Sequence, residues 1–276
     1  MSPNRDAAIS LRKRFQEALS TQTFGRNVRW LDSVVGTNDE ARKWADADAP
    51  HGALVFADHQ TDGRGRHGRP WFAMPGLNLT VSLILRPAIQ PTGFGIITLA
   101  ASLAVQECIR TSCPSLSPSI KWPNDILIEG KKCCGMLLES AISSNRGSSY
   151  VILGIGLNVN QVDYPGSLRT SATSLLLAWG RPVDRALLLA DLLQRLESGY
   201  SRAQSHPNLI VSDYENNLDG IGRRLRLSDA QSGRTFNGIF KGIDESGALL
   251  LELESEIRAF HAGDVQMIKM KHDTSI

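Results

Sequence analysis

Gly63-Arg64-Gly65-Arg66-His67-Gly68-Arg69-Pro70-Trp71 decides how this chain is read. Its glycines spell G-x-G-x-x-G (Gly63, Gly65, Gly68), the pattern of a dinucleotide-binding turn. That turn needs a helix opening at the last glycine, whose N-terminus then holds a pyrophosphate. Here Pro70 and an extended run follow, so the Rossmann reading fails. Upstream, 53–57 (Ala-Leu-Val-Phe-Ala) reads as a short buried strand. Downstream, 77–85 (Leu-Asn-Leu-Thr-Val-Ser-Leu-Ile-Leu) alternates apolar and polar at first and reads as another. The segment is a loop between two strands. Kinase glycine loops share that setting, but V-A-I-K, H-R-D and D-F-G are absent, as is G-x-x-x-x-G-K-[ST]. Glycines let the backbone turn sharply and leave N–H groups to face a ligand, and alternate arginines add forked donors for carboxylate or phosphate. Two isolated arginines would be a basic surface turn. Three arginines interleaved with three glycines, in a near-neutral chain, read as an anion grip.

The chain has 276 residues, room for one large domain and a small one. Hydrophobic content of 42% and charged content of 21% are those of an ordinary globular protein. A net charge of +2 argues for neither a nucleic-acid nor a membrane partner, and the local arginine cluster is the meaningful asymmetry. Cys108, Cys113, Cys133 and Cys134 form no C-x-x-C pair and have no His at zinc spacing, so no metal site is expected. Free thiols in a reducing cytosol account for them. No apolar run reads as long enough to cross a bilayer and the N-terminus lacks a signal core, which predicts a cytoplasmic protein.

Residues 4–20 fit an amphipathic helix with a solvated basic face. One helix is not a helix-turn-helix, so no DNA-reading domain is expected. A strand at 28–35 leads into Gly36-Thr37-Asn38-Asp39-Glu40, where Thr37 or Asn38 suits the N-cap of a helix through 41–47. Capping alone explains these side chains, but at a strand-to-helix junction they equally suit a ligand's carbonyl. Gln60, just before the arginine loop, places an amide where it can read a polar ligand. Residues 93–112, apolar nearly all round, read as a buried helix without chemistry of its own.

The second informative stretch is Ile120-Lys121-Trp122-Pro123-Asn124-Asp125-Ile126, a strand running into a turn, followed by a hairpin through Gly130-Lys131 to 133–139. Alternation permits Lys121 to point into a pocket. A strand-end lysine is usually just solvated, because an ammonium is costly to bury without an anion. Beside a loop that also wants an anion, the pocket reading gains. In 151–160 (Val-Ile-Leu-Gly-Ile-Gly-Leu-Asn-Val-Asn), glycines inside a strand mark close approach by a backbone or a ligand. Asn158 and Asn160, two residues apart, would point one way, and a bend carrying surface asparagines and a ligand site using them fit equally well there. Helical patterns follow at 172–179, 184–204 and 208–218, with 166–170 a loop. From 223 onward short strands and turns suggest a small SH3-like barrel.

Together these motifs resemble the biotin protein ligases over about 28–270. The resemblance rests on the 63–71 loop, Lys121-Trp122-Pro123-Asn124-Asp125, Gly154-Ile-Gly-Leu-Asn158, Gly247-Ala-Leu-Leu250 and His261-Ala-Gly-Asp264. It implies an α+β fold: a mixed β-sheet with flanking helices, similar to class II aminoacyl-tRNA synthetases, then a C-terminal SH3-like domain. The boundaries expected are 1–220 for catalysis (1–25 an N-terminal helix) and 221–276 for the small domain. The implied activity joins biotin to ATP as biotinyl-5'-AMP, with Mg²⁺ accompanying the ATP, and transfers biotin to a lysine of a biotin carboxyl carrier protein of a carboxylase. Lacking a DNA-binding domain, the chain looks like the monofunctional kind, with no DNA or membrane partner and edge strands that permit a homodimer. Lys121 would bridge biotin carboxylate and α-phosphate, and Arg66 would sit with it at the reacting atoms. Gly36, Thr37, Asn38, Gln60, Arg64, Gly65, Arg66 and Lys121 would contact biotin; Arg66, Arg69, Trp71, Asn124, Lys132 and Asn158 would line the nucleotide side. One departure stands out. The family usually has Ser-Thr-Asn where this chain has Gly36-Thr37-Asn38, so a serine hydroxyl is missing.

Three other readings differ in testable ways. A lipoate or octanoate ligase would share the architecture, although the 121–125 block and complete arginine loop argue against it. A sensor of an anionic metabolite would bind without turnover. A nucleic-acid module is disfavoured by the small net charge.

Overall fold

The computed structural model describes residues 3–142, 149–166, 168–218, 220–229, 232–261 and 263–267. In chain order come α1 (Pro3–Ala18), β1 (Val28–Leu31), α2 (Thr37–Asp46), β2 (Leu54–Ala57), β3 (Leu79–Leu85) and α3 (Gly95–Ser112). β4 (Ser119–Lys121), β5 (Asp125–Ile128), β6 (Lys131–Ile142), β7 (Ser149–Leu157), α4 (Leu168–Ser171) and α5 (Leu175–Trp179) follow. Then come α6 (Arg185–Ser205), α7 (Pro207–Asn216), β8 (Arg224–Asp229), β9 (Thr235–Ile243), β10 (Leu249–Glu252), β11 (Ile257–Phe260) and β12 (Gly263–Met267).

β1 to β7 form one sheet in the order β1-β2-β3-β7-β6-β5-β4. The β1–β2 pair is parallel and the other pairs are antiparallel, so the sheet is mixed as expected. Period-two alternation decides what covers each face. Leu54, Phe56, Leu83, Leu85, Val151 and Leu153 join the large core with α1, α3 and α6. Their neighbours Val55, Ile84, Tyr150 and Ile152 join Ala41, Ala45 and Ala49 in a second, smaller cluster under α2. Small residues at four-residue spacing let α2 lie close on the sheet. The β5–β6 turn has Glu129 and Gly130 at φ 50° and 75°, one residue earlier than the sequence placed it.

Two expectations change here. The segment Pro91–Ser112 is long and apolar enough to cross a membrane by length and composition, contrary to the sequence reading. It packs instead against α6, α7 and β4 to β6 with Ile97, Val105, Cys108 and Ile109 buried, as a core helix. The C-terminal strands form an antiparallel sheet in the order β11-β10-β9-β8-β12. Among the described residues no pairing joins its edges β11 and β12, so no closed barrel is found. The expected strand end at 268–269 lies outside the described residues.

This sheet grips the sequence around Lys121. Trp122 Nε1 donates to Gly247 O at 3.0 Å and Ile243 N donates to Glu215 Oε1 at 2.7 Å. A Cβ on Gly95 would stand 2.2 Å from Ser246 O, so α3 meets the 244–248 turn without room for any side chain.

Candidate active site

A cleft of about 730 Å³ opens on the α2 face of the large sheet. One end is built by the start of α2. Gly36, extended at φ −154° and ψ 139°, is the N-cap and supplies no side-chain bond, so neither Thr37 nor Asn38 caps the helix. A distant residue does: Gln60 Oε1 accepts from Thr37 N at 2.8 Å and from Thr37 Oγ1 at 3.0 Å. The Val34–Gln60 bridge brings the two segments side by side. Thr37 and Asn38 turn inward, where buried Ser82 lies 2.8 Å from Thr37 Oγ1 and donates to Asn38 Oδ1 at 2.6 Å. Asn38 Nδ2 donates to Glu139 Oε2 at 2.7 Å, and Arg42 holds the other carboxylate oxygen at 3.1 Å.

The arginine loop closes on itself as a miniature hairpin. Trp71 N donates to Gly63 O and Gly65 N donates to Arg69 O, both at 2.7 Å. The Gly65 N–H is therefore spent inside the loop rather than left for a ligand. A Cβ on Gly63 would meet Trp71 O and Gln60 Nε2 at 2.9 Å each, which explains glycine there. Arg64 is exposed and paired with Asp62 at 3.1 Å and Asp39 at 3.9 Å. Half-buried Arg66 donates through Nη1 to Asn124 Oδ1 at 3.2 Å. Asn124 is buried in the turn after β4 and donates to Met136 O. Lys121, the last residue of β4, is half-buried in the cleft wall, and its side chain has no hydrogen bond or ion pair among the described residues. An ammonium so placed is stabilised by an arriving anion.

The floor is glycine, and the structure says why. A Cβ on Gly156 would lie 2.4 Å from the Trp71 ring, and one on Gly135, its register partner, 3.2 Å from it. A Cβ on Gly154 would lie 2.3 Å from Asn38 Oδ1. These glycines make room for side chains of the site. Lys132 Nζ sits 5.6 Å over the Trp71 ring and 2.7 Å from Asp125 Oδ1. Buried polar atoms of the lining without a protein partner include Trp71 Nε1, a donor, Asn158 Oδ1, an acceptor, and the Tyr164 hydroxyl. The Asn158 amide is oriented by donation from Nδ2 to Thr173 O at 3.0 Å. Asn160 instead exchanges two hydrogen bonds with Val183 and lies outside the cleft.

All thirteen residues named from the sequence line this one cleft: Gly36, Thr37, Asn38, Gln60, Arg64, Gly65, Arg66, Arg69, Trp71, Lys121, Asn124, Lys132 and Asn158. Sequence reasoning missed Ser82, Glu139 and Gly135. A carboxylate ending the run Met136-Leu137-Leu138-Glu139 and a glycine within a strand were their only signals. The cysteines take no part: all four are free and buried, and burial pushes the Cys113 thiol up to about 11 and the others higher.

A mixed sheet bearing a cationic loop, a lysine without a side-chain partner and a polar, hydrogen-bonded end suits an enzyme that activates an organic acid by adenylation. The sequence pattern of the Biotin/lipoate A/B protein ligase family matches residues 32–158, and that of the Biotin protein ligase C terminal domain matches 220–267. The Bifunctional ligase/repressor BirA of Bacillus spizizenii is 39% identical over 256 residues, covering 90% of this chain and 76% of that protein. The Biotin--[acetyl-CoA-carboxylase] ligase of Mycobacterium tuberculosis is 34% identical over 260 residues, covering 91% and 94%. The biotin protein ligase of Aquifex aeolicus in complex with biotin and ATP superposes with a TM-score of 0.75 at 27% identity, over 89% of this chain and 100% of that one. The chain belongs to the biotin protein ligase family.

Proposed function

We propose that the cleft takes biotin at its α2 end and Mg²⁺-ATP at its Trp71 end, and that Lys121 and Arg66 work where the two substrates meet. The observation that carries this reading is Lys121, an unpaired ammonium half-buried in the wall of a cleft whose loop is arginine-rich. In the first step a biotin carboxylate oxygen attacks the α-phosphorus and pyrophosphate leaves with the bonding electrons. In the second, a carrier lysine amine attacks the acyl carbon, loses a proton, and AMP departs. Both transition states gather negative charge on phosphate and carboxyl oxygens, so fixed cations and positioning suffice without a protein nucleophile.

The partnerless Trp71 Nε1 and Asn158 Oδ1 fit a nucleotide, offering one donor and one acceptor beside an aromatic face. No group of three metal-ligating side chains occurs among the described residues, and Asp39, Asp62, Asp125 and Glu139 are all held by cations. Mg²⁺ therefore enters with ATP, on phosphate oxygens. Lipoate or octanoate would bring no ring N–H or C=O to this end and would leave the Gln60 Nε2 donors without a ligand acceptor, which favours biotin. ATP as substrate and four free thiols support a cytoplasmic setting, and edge strand β1 leaves room for a side-by-side dimer. Five short antiparallel strands support an SH3-like curl of the C-terminal sheet.

The test incubates the protein with biotin, Mg²⁺-ATP and a purified biotin carboxyl carrier domain, and follows the carrier by mass spectrometry. One biotinyl group on one lysine is expected, absent without ATP. An unmodified carrier, with a folded enzyme, contradicts the proposal.

A further inference from the structure

We infer that Ser82 is a positioning residue for the acid-binding end of the cleft. Its buried hydroxyl ties the Thr37 and Asn38 side chains together in the orientation that meets the ligand. The inference rests on the biotin reading and extends it to a residue outside the cleft lining.

Ser82 lies within β3, fully buried, on the face that α2 covers. A buried hydroxyl in such a strand persists when it is hydrogen-bonded. Its neighbours are Asn38 Oδ1 at 2.6 Å and Thr37 Oγ1 at 2.8 Å. Chemistry fixes both nearby amides. The Glu139 carboxylate only accepts, so Asn38 must turn Nδ2 toward it and Oδ1 toward Ser82. The Thr37 backbone N–H only donates, so Gln60 must turn Oε1 toward it, which leaves Nε2 as its other end.

Proton counting then sets the polarity. Three oxygen–oxygen contacts (Ser82–Asn38, Ser82–Thr37 and Thr37–Gln60) share two hydroxyl protons. Asn38 Oδ1 can only accept, so the Ser82 proton goes to it. The Thr37 proton goes to Ser82 or Gln60, within the network either way. Thr37 thus meets a ligand with lone pairs, and Gln60 meets it with N–H groups. A cyclic urea, with its ring N–H and C=O, is the complement. Asn38 has one hydrogen bond on each amide atom, which holds it in place and leaves one N–H and one lone pair for the ligand. The neighbouring strand is cut back to admit it: Gly154 is the register partner of Ser82, and a Cβ there would lie 2.3 Å from Asn38 Oδ1.

The test measures KM for biotin, KM for ATP and kcat in ATP–pyrophosphate exchange for the intact protein, Ser82→Ala and Ser82→Cys. Inhibition by octanoate, which lacks a ring N–H, is measured alongside. Ser82→Ala should raise the biotin KM by about three- to tenfold, the worth of one ordinary hydrogen bond, with the weakly donating Cys between. The ATP KM, kcat and octanoate inhibition should stay within about twofold. A biotin KM unchanged in both variants overturns the role, and so does a parallel rise in biotin and ATP KM. If Ser82→Ala does not fold, Ser82→Cys decides on the same criterion. Exchange that ignores biotin in the unmodified protein rejects the biotin reading itself, a result distinct from any variant's.

Discussion

Lys121 is where the chemistry of one side chain is most exposed to test. It has no partner among the described residues, so its removal costs the fold little, whereas removing a fixed charge from a reacting site typically costs about 10²–10³ in rate. Lys121→Ala should therefore keep its melting temperature and lose biotin-dependent pyrophosphate exchange by at least that factor; near-normal exchange would remove Lys121 from the mechanism. Gly36 is the opposite case, a residue without a side chain at the N-cap of α2. A Cβ there would stand 3.3 Å from Asp39 Oδ2, the movable end of an exposed side chain, so serine is tolerated. Gly36→Ser should stabilise α2 by a few tenths of a kcal/mol, roughly the difference between Ser and Gly at an N-cap. It should also tighten biotin by about 0.5–1.5 kcal/mol. Calorimetric titration measures the second effect, and an identical Kd would mean that position 36 never faces the ring. Most of the side chains named from sequence were legible because they are polar or charged residues in the loops and turns that border apolar runs. Ser82 was not legible that way: an alternating strand gives no sign that one of its small polar residues lies beneath a helix N-terminus.

Elements carry the next level. The inner strands were legible as apolar runs bounded by turn residues, and α3 because it is apolar nearly all round. The N-cap of α2 was not, because the group that caps it arrives from Gln60, 23 positions away. A similar long-range tie holds the end of β3. His51 Nδ1 accepts from Arg86 N at 3.0 Å, and Arg86 also donates to Ala45 O and Ala49 O at the C-terminal end of α2. Burial, and then the Arg86 charge, depress the His51 pKa below its ordinary 6.5. The unfolded chain therefore binds the proton more readily, and the stability held by neutral His51 is present above that value and lost as pH falls through the lowered one. Melting temperature should drop between about pH 7.5 and about pH 5, and drop less in His51→Gln, which keeps an acceptor without the proton. Equal slopes would show that His51 does not titrate with folding.

At the scale of the molecule, the C-terminal sheet is fastened to the residue that follows Lys121. The Trp122–Gly247 bond spans 125 positions, and Trp122 stands between Lys121 and the Pro123-Asn124 turn. No local pattern announces such a contact, which is why a second small unit was legible in the sequence and its grip on the site was not. Gly95→Ala tests the grip, since its Cβ would stand 2.2 Å from Ser246 O. It should lower the melting temperature and raise the KM for ATP, as Trp122 and its neighbours shift. A raised KM without any loss of stability would place the coupling elsewhere. The central claim is that one cleft adenylates biotin, and ATP–pyrophosphate exchange with purified protein and Mg²⁺ measures that step directly, offered biotin, lipoate, octanoate or no acid. Exchange that appears with biotin alone is the predicted result. Exchange supported by lipoate or octanoate instead, or by no acid at all in a protein that still binds biotin, would contradict it.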